Sequence, residues 1–314
     1  MTSRVLAAGM AAGVMAVVAC SSTPTIAGPG AGSAPPGRAA GTPPASTTTA
    51  VATTSTTTLV AFPAATLTQG QWTPVGLAIR GKAALSATMI AAPGAPPTGV
   101  VRINGALTRP VLYAGTAEPG GSWPNQGAVP AALQGSLVAA FNSGFHTSSS
   151  GGGWFDHGRM AVPLVTGAAS LVIRADGSAT VGMWGRDASL AADVISVRQN
   201  LGLLVDAGVN FGNSGSWGAV LGRGTNTWRS GLGVDSSGNL LYASGPALSA
   251  ATLAQVLIQA GAVRAMELDI NPQWVAFSYY GGTGAGTNLL PAMHYPPSHW
   301  LTGTARDFVV IMAR

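Results

Sequence analysis

Short apolar runs separated by glycine, proline and small polar residues characterise the chain beyond about residue 70. This spacing predicts strands joined by tight turns rather than long helices. Residues 136–141 are apolar on both faces of an extended chain, which is typical of a buried strand. Residues 169–174 and 179–184 flank Ala-Asp-Gly, and two runs within residues 232–243 flank Ser-Ser-Gly. Both patterns predict hairpins.

One segment has helical periodicity instead. It runs from Ser249, a suitable N-cap, to Ala260, and Gly261 is placed to end the helix. Residues 265–270 and 307–312 then follow as strands. This order of elements predicts an α+β fold, with a mixed, mostly antiparallel sheet and a few packed helices in a single domain.

The N-terminus combines Arg4, an apolar run over residues 5–19, and Cys20. The run is about fifteen residues long, short of the roughly 20 that cross a bilayer as a helix, and fits the core of a secretory signal peptide. Its end, Val-Val-Ala-Cys, resembles the bacterial lipobox. The resemblance implies that residues 1–20 are a lipoprotein signal peptide and that Cys20 is acylated, which anchors an extracytoplasmic protein to the cell membrane. The alternative is a buried or chance cysteine.

Residues 21–58 consist almost entirely of Ser, Thr, Pro, Gly and Ala, and Arg38 is their only charged residue. Such a segment has too little apolar surface to offset the entropy of ordering, so we expect a disordered linker. Residues 59–314 then form the folded domain. Because Cys20 is the only cysteine in the chain, this domain must be stable without internal disulfides.

The charge pattern excludes one class of partner. Only 8% of the residues are charged, the net charge is +5, and Lys82 is the single lysine. The arginines are scattered and form no basic stripe with interleaved aromatic residues, so we expect no nucleic-acid binding. An anionic glycan of the cell envelope is the more suitable partner for scattered arginines.

The acidic residues are the most informative candidates for chemistry. The chain contains 10 Asp and Glu residues, and two of them, Glu267 and Asp269, share one predicted strand. Side chains at i and i+2 project from the same face, about 6.6 Å apart. Two neighbouring carboxylates repel each other, so one of them should keep its proton to higher pH, as general acid–base catalysis at a glycosidic bond requires. The alternative is a solvated strand face or a pair neutralised by arginine.

Four segments together resemble the phosphodiester glycosidase family, which contains the lysosomal enzyme that uncovers mannose 6-phosphate. They are residues 140–145 (AFNSGF), 197–208 (VRQNLGLLVDAG), 228–240 (WRSGLGVDSSGNL) and 265–269 (AMELD). Their order and spacing agree with the family over residues 133–314. The resemblance implies a glycosidase whose site is formed by Asn142, Asp206, Arg229 and Asp269, with Arg229 binding an anionic part of the ligand.

The chain departs from the family after Asp269. The family has a run of glycines there, which would offer backbone N–H groups to a phosphate, whereas this chain has Ile270-Asn-Pro-Gln-Trp274. Pro272 has no N–H and Ile270 is bulky, so the pocket is expected to differ from that of the family. Asn271 and Trp274 are the expected substrate-binding residues of this segment, with Trp274 as a face on which a sugar can stack.

The chain has 4 histidines, none in a helical metal-binding motif. His146 follows Asn142 closely and His294 lies in a Pro-rich segment, and we expect both to contact substrate. A second interpretation places His294 with Glu267 and Asp269 in a metal or proton-relay site. We favour a site without metal or other cofactor, because a loop histidine is more often structural or solvated.

The sequence therefore predicts a cell-envelope lipoprotein with a phosphodiester glycosidase-like domain. Its expected activity is hydrolysis of a glycosidic bond in a sugar phosphodiester or an envelope glycan. The alternative is a noncatalytic glycan-binding lipoprotein that retains the fold. Asp269, Arg229 and Asn142 favour the enzyme, whereas the absence of the glycine run favours the binding protein.

Overall fold

The computed structural model describes residues 59–63, 65–218, 224–282 and 285–314. The predicted signal peptide, the linker and Cys20 lie outside these residues. Within them, no helix is both long enough and apolar enough to cross a membrane.

The described residues form mainly short strands. In chain order, the strands are β1 Leu59–Ala61, β2 Thr73–Ile79, β3 Lys82–Ile90, β4 Thr98–Ile103, β5 Thr108–Tyr113, β6 Leu137–Asn142, β7 Trp154–Asp156, β8 Arg159–Val162, β9 Ala169–Arg174, β10 Ala179–Met183, β11 Val194–Asn200, β12 Leu203–Asp206, β13 Val209–Asn210, β14 Thr227–Asp235, β15 Leu240–Leu248, β16 Ala262–Glu267, β17 Phe277–Tyr280, β18 Gly286–Asn288 and β19 Phe308–Ala313. The helices are α1 Ala131–Gln134, α2 Thr147–Ser150, α3 Ala250–Gln259 and α4 His299–Thr302.

The strands form three sheets in the described part of the chain. One has nine strands in the order β1-β2-β3-β4-β15-β14-β16-β12-β13, and the others have five strands each, in the orders β10-β9-β11-β7-β8 and β18-β17-β6-β19-β5. Neighbouring strands are antiparallel throughout. The predicted α+β fold needs correction: α3 is the one described helix longer than four residues, so the fold is mostly β.

Two sheets pack face to face around an aromatic cluster. Phe141 of β6 stacks on Phe277 of β17 with ring centroids 5.6 Å apart, and Tyr242 of β15 lies 4.8 Å from Phe277. All three rings are buried. Because such rings contribute large apolar areas, this cluster fixes the end of β6 against the centre of the nine-stranded sheet. Asn142, the last residue of β6, is thereby placed beside β14 and β15.

Helix α3 covers the other face of the nine-stranded sheet. Leu253, Val256 and Leu257 pack in one core cluster with Leu204 and Leu241 from the sheet. The helix begins as predicted, with the Ser249 hydroxyl accepting the Thr252 N–H at 3.0 Å, and Gly261 follows it with a positive φ of 104°. The periodicity and cap signals of this segment are therefore confirmed.

Several predicted strands and hairpins are confirmed, with one shift that matters for the site. The strand predicted over residues 265–270 is β16, which begins at Ala262 and ends at Glu267. Asp269 therefore lies beyond the strand end. The alternation of faces that placed Glu267 and Asp269 side by side does not apply across this end.

Candidate functional site

All three sheets contribute to one polar region at the end of β16. Past Glu267 the backbone stays bonded to β14, since the Leu268 N–H donates to the Ser230 carbonyl at 2.8 Å and the Ser230 N–H donates to the Asp269 carbonyl at 2.9 Å. Asn200 of β11 donates its side-chain amide to the Leu268 carbonyl at 2.7 Å. The segment that carries both predicted acids is thus held from two sides.

A cleft of about 480 Å³ opens beside this region. Its lining residues are Phe145, His146, Ser149, Leu201, Ser216, Gly218, Asp269, Ile270, Asn271 and Arg306. Among the residues predicted to form the site, Asp269, Asn271 and His146 meet in this cleft. Clefts of about 340 and 530 Å³ elsewhere on the described surface contain none of the predicted site residues.

Asp269 is the carboxyl group of this cleft, and 2% of its surface is exposed. Its Oδ2 lies 2.9 Å from Nη1 of Arg306, and its Oδ1 accepts the Asn271 N–H at 2.8 Å. Burial raises the pKa of Asp269 above the ordinary aspartate value, and the Arg306 charge opposes this shift. Asp269 therefore keeps its proton to higher pH than an exposed aspartate, and one of its oxygens lies against a cation.

Arg306 was not predicted as a site residue. Its Nη2 donates to the Gly144 carbonyl at 2.7 Å, its guanidinium lies 4.8 Å from the ring centre of Trp274, and its Nε is 3.6 Å from Oε2 of Glu118. Nη1 and Nη2 each have one acceptor among the described residues, so each has a second hydrogen to offer. Arg306 is therefore the described cation of the cleft that is best placed to bind an anion.

The neighbour of Arg306 holds this part of the chain in place. Asp307 is buried, its Oδ2 lies 2.6 Å from Nε of Arg198, and it accepts the Trp154 Nε1–H at 3.2 Å. Its carbonyl accepts the Ser143 hydroxyl at 2.9 Å. One feature of the sequence could have identified Arg306 as a candidate site residue. Arg306 and Asp307 are adjacent opposite charges just before an apolar strand, in a chain of which only 8% of the residues are charged.

His146 enters the cleft with a carboxylate behind it. Its Nδ1 lies 2.6 Å from Oε2 of Glu118, and the side chain is 56% exposed. Oε1 of Glu118 accepts the Thr147 N–H at 2.7 Å. A carboxylate on one ring nitrogen orients the imidazole, so Nε2 of His146 is left for a ligand or water. Glu118, which also lies near Arg306, is a second contributor that the sequence did not reveal.

Glu267 forms a separate, closed ion pair with Arg229. The Oε1 atom of Glu267 accepts from Nη1 of Arg229, and both side chains are essentially buried. Burial raises the pKa of Glu267 to about 7, and Arg229 opposes this shift. Glu267 does not line the cleft. The predicted arrangement of Glu267 and Asp269 as one pair in one pocket is therefore not what the structure has.

Arg229 has no hydrogen left for a ligand. Besides Glu267, its Nε donates to the Leu248 carbonyl at 2.9 Å and Nη1 donates to the Trp217 carbonyl at 2.8 Å. Nη2 donates to the carbonyls of Gly218 and Thr225 at 3.4 and 2.7 Å. All five guanidinium hydrogens have protein acceptors. The geometry thus places Arg229 as a structural anchor, in contrast to the anion-binding role expected from the sequence.

Asn142 is buried, and both polar atoms of its side chain hydrogen-bond to other residues of the protein. Its Nδ2 donates to the Ser230 hydroxyl at 3.0 Å, and its Oδ1 accepts from Tyr242 Oη at 3.1 Å and from the Ala276 N–H at 3.2 Å. It does not line the cleft. Asn142 therefore joins two sheets behind Asp269, because Ser230 also hydrogen-bonds the Asp269 backbone.

Trp274 does not offer the face that the sequence suggested. The residue is 5% exposed. Its ring is surrounded by Tyr295, His299 and Trp300, with centroid distances of 5.9, 5.8 and 6.2 Å, and by the guanidinium of Arg306. Because the ring is covered by these groups, a sugar cannot stack on it in this conformation.

Asp206 and His294 lie apart from the cleft. Asp206 accepts two hydrogen bonds from Arg186, at 2.7 and 2.9 Å, and this partner holds the Asp206 pKa below its ordinary value. His294 is exposed and packs edge-on against Tyr295, with centroids 4.9 Å apart. Neither residue lines the cavity of Asp269. The geometry supports neither Asp206 as a catalytic residue nor His294 as a substrate contact in that cleft.

The residues that the structure describes contain no candidate set of metal ligands. No group of three or more His, Cys, Asp and Glu side chains lies together in those residues. The proton relay through His294 has no geometric support either, since His146 is the histidine at the cleft.

Comparison with known proteins gives a likeness of fold. No family model and no curated protein matches the chain. The zebrafish N-acetylglucosamine-1-phosphodiester alpha-N-acetylglucosaminidase catalytic domain, auto-inhibited by its pro-peptide, is 15% identical over 73% of this chain and 82% of that chain, with a TM-score of 0.46. A hypothetical protein from Synechocystis is 15% identical over 76% and 65%, with a TM-score of 0.43. A protein from Burkholderia pseudomallei K96243 is 12% identical over 74% and 75%, with a TM-score of 0.38.

Proposed function

We propose that this protein is a cell-envelope hydrolase that cleaves a glycosidic bond in a sugar phosphodiester or an envelope glycan. The observation that carries the proposal is the environment of Asp269. This residue is a buried carboxyl group with a raised pKa in a cleft, and a guanidinium with unused donors lies beside it. A carboxyl group that keeps its proton to higher pH than an exposed aspartate is suited to protonate the leaving oxygen of a glycosidic bond.

The other polar groups of the cleft have complementary roles in this proposal. Asp269 gives its proton to the leaving oxygen, and a water molecule attacks the anomeric carbon. His146, oriented by Glu118, takes the proton of that water. The free hydrogens of Arg306 bind an anionic group of the substrate. An anion there would partly neutralise the charge that lowers the Asp269 pKa, so substrate binding would favour the protonated acid.

Attachment to the membrane is a separate part of the proposal. The lipobox-like run and the lone Cys20 support a lipid anchor that keeps the domain at the cell surface. Replacing Cys20 by Ser should move the protein from the membrane fraction to the soluble fraction. A variant that sediments with membranes like the original protein would place the anchor elsewhere.

Assay of the purified protein against sugar phosphodiesters and envelope glycans tests the activity. Release of a reducing sugar by the wild type, and its loss in Asp269→Asn, is the expected result. Asp176→Asn is a suitable control, since this exposed acid lines a different cavity. Hydrolysis that survives in Asp269→Asn would remove Asp269 from the mechanism.

A noncatalytic glycan-binding protein is the second candidate, and one observation favours it. Hydrolases of the two-carboxylate type need a second carboxyl group roughly 5 to 9.5 Å from the first. Among the described residues, Asp269 is the one carboxyl group that lines the cleft. If one of the assayed sugar phosphodiesters or envelope glycans binds but is not hydrolysed over hours, this candidate is supported and the proposed enzyme is rejected.

A further inference from the structure

A second, smaller cavity adjoins the cleft of Asp269. Its volume is about 250 Å³, and Phe211, Trp217 and Leu203 line it together with glycines and serines. Ser216 lines both cavities, and Leu201 of the cleft is followed directly by Gly202 of the smaller cavity. The two cavities therefore border one another at Ser216 and at residues 201–202.

The smaller cavity has the chemistry of a site for an uncharged ring. Phe211 is 41% exposed, although a phenyl ring usually packs inside a protein. Trp217 is half-buried, and its Nε1–H donates to the Ser214 carbonyl at 2.7 Å, which fixes the ring plane. No charged residue is among the described residues that line this cavity. Aromatic faces with nearby hydroxyl groups suit a sugar ring, whose C–H face is apolar and whose edge is polar.

The buried ion pair described above holds the wall of this cavity. Arg229 donates to the carbonyl of Trp217 and, more weakly, to that of Gly218. Its charge is balanced by Glu267 beneath. The Trp217 side chain packs against the same core cluster as α3. The Trp217 part of the wall is therefore held in place by contacts within the protein, which lowers the entropy cost of binding.

We propose that Phe211 and Trp217 form a subsite for a neutral sugar ring that is linked to the residue cleaved at Asp269. The inference rests on the proposed function for the placement of the reacting bond. It adds that the substrate contains at least two sugar rings, one in each cavity. The volume of about 250 Å³ is just below the roughly 300 Å³ at which ligand pockets begin, which suits a single ring.

Calorimetry on the full chain tests this subsite. The probes are N-acetylglucosamine, glucose and mannose, and the linear di- and trisaccharides of each. The variants are Phe211→Ala, Trp217→Ala and the control Trp72→Ala. Trp72 is also half-buried and packs on the same core cluster as Trp217, but it lines neither cavity. Phe211→Ala keeps the test decisive if Trp217→Ala is poorly folded, because Phe211 is exposed.

The expected result is that at least one di- or trisaccharide binds more tightly than its monosaccharide. Phe211→Ala and Trp217→Ala should each weaken that binding about fivefold or more, whereas Trp72→Ala leaves it unchanged. Equal affinity for one ring and several, binding by none of the probes, or equal losses in all three variants would overturn the subsite. Hydrolysis is measured in parallel. A protein that binds as expected but cleaves nothing would fail the proposed activity and keep the subsite.

Discussion

Two arginine–carboxylate pairs flank Leu268, and they differ in whether the arginine has hydrogen-bond donors left for a ligand. In the first, Arg229 and Glu267 are buried, and every guanidinium hydrogen has a protein acceptor. In the second, Asp269 is buried but Arg306 reaches the cleft, and its terminal nitrogens have one acceptor each among the described residues. The first pair is closed, and the second is open to a ligand.

The difference teaches that residue type and spacing do not reveal which ion pair is functional. Both pairs place a carboxyl group of raised pKa beside an arginine. A saturated guanidinium in a dry interior can stabilise a loop, but it cannot bind substrate without breaking the bonds it already makes. An unsaturated guanidinium at a cleft can bind an anion without such a loss.

The largest expected effect is on the stability of the closed pair. Arg229→Met removes the donors for four backbone carbonyls and leaves Glu267 buried without its cation. We expect the free energy of unfolding to fall by about 3–5 kcal/mol, the usual cost of breaking a buried pair. Urea denaturation measures this loss.

Two variants serve as controls for that measurement. Arg306→Met should cost about 1–2 kcal/mol, because Asp269 keeps the Asn271 N–H and borders the cleft. Glu267→Gln should cost less than Arg229→Met, since the carbonyl bonds of Arg229 are kept. An Arg306→Met variant that is less stable than Arg229→Met would contradict the division into closed and open pairs.

The second effect is on turnover and separates the two acids. Asp269→Asn should lower kcat by about a hundredfold or more, the usual contribution of a general acid. Its stability should fall by about 1–2 kcal/mol, because the amide has one acceptor oxygen where the carboxylate has two, and so it loses the bond to either Arg306 or the Asn271 N–H. Glu267→Gln should reduce kcat much less, since Glu267 does not line the cleft. Steady-state rates on a hydrolysed panel member decide this, and equal losses in both variants would show that the acids act as one pair.

Local patterns predicted much of the fold, and the reason is physical. The hairpins of β9 with β10 and of β14 with β15, and the cap of α3 at Ser249, depend on a few neighbouring residues. The structure also brings Asp269 and His146, two of the predicted site residues, to one cleft. Which carboxyl group meets which arginine depends instead on how sheets pack over long separations: Arg229 and Glu267 are 38 positions apart in the chain.

The same limit explains the residues that were missed or misplaced. Arg306 and Glu118 reach the site from loops in distant parts of the chain. The periodicity of apolar residues does not predict such contacts between loops. Trp274 was expected to face a ligand, but its position after the end of β16 turns it toward Tyr295 and His299. Phe211 is exposed and Trp217 is half-buried, and both lie in a Gly- and Ser-rich segment for which the sequence predicted no element and no role.

The third effect is a pH dependence of stability that arises mainly from the closed pair. Burial raises the pKa of Glu267 to about 7, so the folded protein keeps a proton that the unfolded chain releases near pH 4.5. Between these values the native state binds more protons, and stability therefore falls as pH rises. Asp269 contributes in the same direction. His299, whose pKa is lowered by burial, acts in the opposite direction.

Melting temperatures between pH 5 and pH 8 measure this dependence. We expect the wild type to lose on the order of 2 kcal/mol across this range, less than full titration of Glu267 would give because His299 opposes it. Glu267→Gln should remove most of the fall in stability between pH 5 and pH 8, whereas Asp269→Asn should leave the contribution of Glu267 in place. A wild type that becomes more stable toward pH 8 would mean that Glu267 is already ionised at pH 5.

The smallest effect is on anion binding, and it tests the open pair directly. Arg306→Lys keeps the charge but loses the planar fork and the second terminal nitrogen. We expect the affinity for inorganic phosphate, measured by calorimetry, to weaken by about 1–2 kcal/mol, the scale of one charge-assisted hydrogen bond. Arg229→Lys should leave phosphate affinity unchanged and lower the melting temperature, because its contacts are to backbone carbonyls and Glu267. The reverse pattern, with phosphate affinity lost in Arg229→Lys and kept in Arg306→Lys, would return the anion site to Arg229, and it would require the Trp217 and Gly218 wall to release that side chain when ligand binds.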